Sequence, residues 1–169
     1  VQSLAIRPII DGRHVIVQAQ RGAGKTGAFS IGVLSSIKIE EKTTQALILS
    51  PEGSLSVQTY EFCKGISEKM TDLTIELFKG GIPVQEDRKR ALRLPHVATG
   101  TPGRILDLIK TGHLRCENIK IVVLDEADEM LSEGFIEQVN EIFSFLSHKV
   151  QFCFFSNTIP IELFRIMET

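Results

Sequence analysis

The chain has 169 residues, 43% of them hydrophobic, enough for one domain with a buried core and too few for two ordinary ones. A formal net charge of -2 excludes a globally basic polyanion binder, so any nucleic-acid contact must come from a local patch. Cys63, Cys116 and Cys153 lack metal or disulfide spacing, and there is no signal-peptide pattern or apolar run long enough to span a bilayer, so a reduced, soluble, intracellular protein without membrane attachment is expected.

The first expected strand, HVIVQA at 14–19, runs into AQRGAGKT at 19–26, and a helix is expected over 25–37. In that strand-to-helix turn Gly22 and Gly24 leave room for backbone N–H groups to surround phosphate oxygens, Lys25 can reach the β and γ phosphates, and the Thr26 hydroxyl can ligate Mg²⁺. Ala19 stands where the strict pattern asks for glycine. The polar stretch 38–45 reads as an exposed loop before the strand ALILS at 46–50. A helix over 54–70, a strand at 74–78, a helix over 84–93 and a strand at 96–100 follow. The segment EDRKRALR at 86–93 is basic but mixed in sign, which favours a solvated helix face. Thr101 is the expected N-cap of a helix over 102–111 that opens on Pro102.

Next comes the apolar strand KIVVLD at 120–125, which ends on Asp125 and runs into Glu126, Ala127 and Asp128. Carboxylates at the end of a buried strand are costly unless they serve a cation or a strong hydrogen bond. Asp125 is the expected metal-side residue, acting through water, and Glu126 is suited to orient or deprotonate an attacking water. A helix over 134–147, a strand at 150–155 and a helix over 160–168 complete the pattern, with the Phe-rich stretch near the end read as core. Strands apolar on both faces, alternating with helices, imply a doubly wound α/β architecture with a mainly parallel sheet and ligands at its carboxyl edge. His14, His96, His113 and His148 are scattered without metal-ligand spacing.

Gln2, AQRGAGKT, Gly80-Gly81, TPGR at 101–104, DEAD at 125–128 and SNT at 156–158 occur in the order and spacing of the DEAD-box RNA helicase motifs. The chain thus resembles the first RecA-like domain of that family over essentially its whole length, most like the translation initiation factor 4A group with its exon-junction and ribosome-biogenesis relatives. The resemblance implies that Gln2 reads the adenine edge and that Arg21, Gly22, Ala23, Gly24, Lys25, Thr26 and Gly27 cradle ATP. It further implies that Gly80, Gly81, Thr101, Gly103 and Arg104 line a path for the RNA backbone, and that Ser156 and Thr158 link the nucleotide and RNA sites through Asp128. The implied cofactors are ATP and Mg²⁺. Implied partners are single-stranded RNA or a short duplex, a second RecA-like domain in cis and a protein scaffold, and the isolated domain is expected to be monomeric, in cytoplasm or nucleus.

Three departures stand out. PEGSLS at 51–56 replaces the family's PTRELA, so Glu52 and Gly53 exchange a hydroxyl and an arginine for an anion and nothing, which weakens any RNA grip there. Asn157 takes the place of a small alanine, and Arg21 and Ala23 take the place of small hydroxyl residues. Beginning at Val1 and ending in a helical stretch, the chain reads as an excised piece of a longer protein. The rival expectations are a divergent, non-catalytic RNA- or protein-binding module that keeps this fold, and a P-loop ATPase acting on DNA or protein.

Overall fold

Alternation of side chains along six short strands separates the apolar residues into two sets, one for each face of a sheet. The computed structural model describes residues 1–132, 134–160 and 163. Its strands are β1 (Val15–Gln18), β2 (Ala46–Leu49), β3 (Ile75–Phe78), β4 (Val97–Gly100), β5 (Ile121–Asp125) and β6 (Gln151–Ser156), each within one residue or so of its expected position. They form one parallel sheet in the order β1-β6-β5-β2-β4-β3. Ala46, Ile48, Val97, Ile121, Val123, Cys153 and Phe155 face one core. Leu47, Leu49, Ala98, Val122, Leu124 and Phe154 face the other.

Helices cover both faces, as the doubly apolar strands require. On the first face lie α1 (Gln2–Ile10), α2 (Lys25–Ser36) and α3 (Gly53–Ile66), contributing Ile9, Phe29, Val33 and Cys63 to the core. On the second lie α4 (Val84–Ala91), α5 (Pro102–Lys110), the single-turn α6 (Ala127–Met130) and α7 (Ile136–Ser144). Thr101 occupies the N-cap position of α5, as expected, although its side chain makes no capping hydrogen bond. The expected helix at 160–168 lies outside the described residues except for Pro160 and Leu163, of which Leu163 is buried.

Three expectations need correction. No element was expected before residue 14, yet α1 forms there: Ala5 and Ile9 bury one stripe, and the Gln151 side chain donates to the carbonyls of Ile9 and Arg13 at 3.0 and 2.6 Å. The 38–45 segment is not simply an exposed loop, because Gln45 is buried and its amide is tied to Lys38 and Glu41. In α4 the solvated-face reading holds for Glu86 and Lys89, and just beyond it for Arg93, but fails for Asp87, which is fully buried and neutralised by Arg90 and Arg104. Among the described residues, no helix is long and apolar enough to cross a membrane.

Candidate nucleotide site

Parallel strands deliver all their following loops to the same sheet edge. There, β1 leads into the glycine loop and β5 into the acidic motif, with β6 hydrogen-bonded between them. The register sets Gln18 beside Ser156 and Asp125 beside Phe155, and the Ala19 N–H donates to the Ser156 carbonyl at 3.0 Å. Gly22 and Gly24 have φ of 80° and 87°, left-handed values that favour glycine and turn the loop into the first residue of α2. The helix therefore begins at Lys25 with its unpaired N–H groups aimed into the loop.

A cavity of about 490 Å³ opens over this edge. Gln2, Arg21, Gly22, Gly24, Lys25, Thr26, Gly27, Asp125 and Glu126 line it, so nine of the sequence-derived nucleotide and catalytic residues converge; Ala23 is exposed and does not line it. The Gln2 amide lies so close over Gly24 and Gly27 that a Cβ at Gly27 would stand 2.6 Å from its Nε2. Leu55, Gln58 and Phe62 also form the wall, at i, i+3 and i+7 along α3, a helical stripe that could have been noticed in the sequence. Glu52 belongs to this wall too, so the anion expected beside an RNA path borders the nucleotide cavity.

The charged centre is nearly dry. Lys25 is 6% exposed, Asp125 6% and Glu126 7%. The Lys25 ammonium donates to the Ala19 carbonyl at 3.0 Å and to Asn157 Oδ1 at 2.7 Å, and stands 3.6 Å from Glu126 Oε1. Asn157 Nδ2 donates to Glu126 Oε2 at 2.5 Å. Burial first, and Glu126 second, push the Asp125 carboxyl up to about 6, against the opposing pull of Lys25 and of the Glu126 backbone N–H. Glu126 itself has φ of 50° and ψ of 54°, a strained backbone for a non-glycine residue, which turns its side chain back toward the glycine loop.

Asp128, Ser156 and Thr158 form a second cluster alongside. The Asp128 N–H donates to Ser156 Oγ at 3.1 Å, while the Thr158 N–H and hydroxyl both donate to Asp128 Oδ2. The remaining expected residues gather at the other half of the same edge, after the adjacent strands β3 and β4, and none lines the cavity. Gly81 has φ of 85°, and the Thr101 N–H donates to the Phe78 carbonyl at 3.1 Å, drawing the two loops together. Gly103 packs near Gln138 of α7. Arg104 is committed inward, to Asp87 and to the Ile82 carbonyl. Asp87 was missed as a site-organising residue because its neighbours in sequence are mostly charged and solvated.

The donor set suits a hard divalent cation held chiefly by phosphate and water: a hydroxyl at Thr26, a carboxylate at Asp125, and no cluster of three or more metal-type ligands among the described residues. The glycine loop, helix start and buried lysine likewise suit a polyphosphate.

Comparison with known proteins places this geometry. The chain is 43% identical over 169 residues to a probable eukaryotic initiation factor 4A of Trypanosoma brucei brucei, a match covering 98% of this chain and 42% of that protein. It is 43% identical over 166 residues to the ATP-dependent RNA helicase FAL1 of Candida albicans, covering 98% and 41%. It superimposes on S. cerevisiae Dbp5 bound to RNA and ADP BeF3 with a TM-score of 0.81 at 34% identity, covering 92% of this chain and 39% of that one. The chain thus spans about two fifths of the length of these relatives. Residues 1–166 match the DEAD/DEAH box helicase model, and the chain belongs to that family.

Proposed function

We propose that this chain is the ATP-binding domain of an ATP-dependent RNA helicase or RNP remodeller, which couples ATP hydrolysis to gripping RNA and opening short duplexes. The observation that carries the reading is the convergence of Lys25, Thr26, Asp125 and Glu126 on one cavity that Gln2 also lines. The Gln2 amide offers a donor and an acceptor to the adenine edge. Lys25 and the N–H groups around Gly22 and Gly24 bind the phosphates, and Glu126 orients the attacking water or takes its proton. Mg²⁺, held by Thr26 and Asp125 largely through water, would neutralise phosphate charge. The cluster of Asp128, Ser156 and Thr158 ties the acidic motif to the end of β6, a route by which nucleotide and RNA contacts are coupled.

RNA is gripped through its backbone by Gly80, Gly81, Thr101 and Gly103, with the start of α5 offering N–H groups to a phosphate. Arg104 supports this surface by anchoring α5 to α4 through Asp87. The likeness to Dbp5 bound to RNA and ADP BeF3 supports this ligand pair. A second RecA-like domain, elsewhere in the parent protein, closes over ATP and brings arginines to the γ phosphate, and a protein scaffold is a further partner. Residues 1–169 alone bind adenine nucleotide weakly and turn it over slowly or not at all.

Glu52 in the cavity wall is the observation that favours a second reading, a non-catalytic RNA- or protein-binding module. ATP turnover by the full-length parent, with single-stranded RNA or DNA of matched length and beside Glu126→Gln, separates the two. RNA-dependent turnover that vanishes in the variant supports the helicase; ATP binding without turnover above the variant supports the module.

A further inference from the structure

Asn157, just beyond β6, touches both charged ends of the catalytic centre with a single amide. Its orientation follows from its partners: an ammonium can only donate, so Oδ1 faces Lys25, and an ionised carboxylate can only accept, so Nδ2 faces Glu126. A backbone contact steadies the residue, since Gln18 Nε2 donates to the Asn157 carbonyl at 3.3 Å. Lys25 has three N–H donors, and the Ala19 carbonyl, Asn157 Oδ1 and Glu126 occupy its surroundings. Two of these donors are hydrogen-bonded, to Ala19 and Asn157, so a phosphate reaching Lys25 shares the ammonium with Asn157 Oδ1 or displaces it. The bond to Glu126 holds Oε2, leaving Oε1 beside Lys25 and Arg21, at 3.6 and 3.9 Å.

We propose that Asn157 is a positioning residue for the reaction: it competes with nucleotide phosphate for Lys25 and orients the Glu126 carboxylate, so it weakens ATP binding while raising the rate of hydrolysis. The inference rests on the ATPase reading above. It assigns opposite effects to the two ends of one side chain, which mere support of the loop would not produce.

The test uses the full-length protein with single-stranded RNA, measuring ATP affinity by nucleotide fluorescence and turnover at saturating ATP. Asn157→Ala removes both bonds and is expected to bind ATP about fivefold more tightly, the worth of one net hydrogen bond, and to lose about tenfold in kcat. Asn157→Asp keeps the acceptor for Lys25 and loses the donor to Glu126, so it is expected to bind ATP more weakly than wild type and also to lose kcat. Melting curves confirm that both variants are folded. Opposite shifts in affinity with a shared loss of kcat support the assignment. An Ala variant with unchanged or weakened affinity, or with unchanged kcat, overturns it, as does an Asp variant that binds more tightly. Wild-type protein without ATP turnover overturns the ATPase reading itself, and the inference with it.

Discussion

The Asp128 carboxylate accepts two hydrogen bonds from Thr158, from the backbone N–H at 3.1 Å and from the hydroxyl at 2.9 Å, across 30 positions of the chain. Partial burial works to raise the Asp128 pKa, but the bonds from Thr158 and Ser156 outweigh it and hold the carboxyl below its ordinary value. A depressed carboxylate stabilises the fold fully above its unfolded pKa of about 3.9, and that contribution is lost as pH falls through the folded value. Thr158→Val is expected to cost about 0.5–1 kcal/mol at pH 7 and distinctly less at pH 3, as read from urea melts at the two pH values. An equal cost at both would show that the Thr158 hydroxyl matters for packing rather than for the charge.

Glu52 sets an anion against a cavity suited to a polyphosphate. Glu52→Gln keeps the shape and removes that repulsion, and is expected to tighten ATP binding about threefold, with the gain shrinking as salt rises. Titrations at low and high salt check both parts, and a gain that does not depend on salt would exclude a coulombic origin.

Two glycines of α2 receive α1 and should respond differently to alanine. At Gly32 a Cβ would lie 2.7 Å from Ile9 Cγ2 and 2.8 Å from its Cβ, so Gly32→Ala must push the helices apart; we expect about 1–2 kcal/mol of destabilisation despite alanine's better helix propensity. At Gly27 the close contact is the end of the Gln2 side chain, which can swing away. Gly27→Ala should therefore melt near wild type yet discriminate ATP from GTP less well, as competition binding would reveal. Unchanged selectivity would remove Gln2 from base recognition.

Burial pushes the Cys63 thiol up to about 11, against a hydrogen bond to Ser30, and the Cys116 and Cys153 thiols up to about 12, with Glu117 adding to the effect at Cys116. Because the native thiols stay protonated where unfolded ones ionise, stability is expected to fall as pH rises above about 8.5. At pH 8.5 a disulfide reagent should label the native protein at least about 100-fold more slowly than the urea-unfolded chain. Rapid labelling of even one thiol would show a local opening in the core.

The six strands were legible because β-branched and aromatic runs at this spacing have few other uses, and the glycine loop and acidic motif were legible because each follows a strand. Helix α1 was not, since its first-turn residues carry no cap signal and Pro8 interrupts the pattern; tertiary contacts, Ile9 on Gly32 and Gln151 on the helix end, hold it in place. Asp87 resembled its solvated neighbours, and only the convergence of Arg90 and Arg104 makes its burial affordable. Asn157 could be seen to depart from the family pattern, but its two partners lie 132 and 31 positions away, a distance that no local reading spans. The place of Glu52 in the nucleotide cavity wall was not legible, because the sequence puts it at a strand end without saying which way the start of α3 turns it.

Among the described residues, β1 pairs only with β6, and these are the first and last strands of the chain. During synthesis the glycine loop therefore emerges early but stays unsupported until residues beyond 150 leave the ribosome. A nascent chain halted before that point displays the phosphate-binding sequence without the platform that shapes it, so competence for nucleotide arrives late, in one step, rather than growing with length.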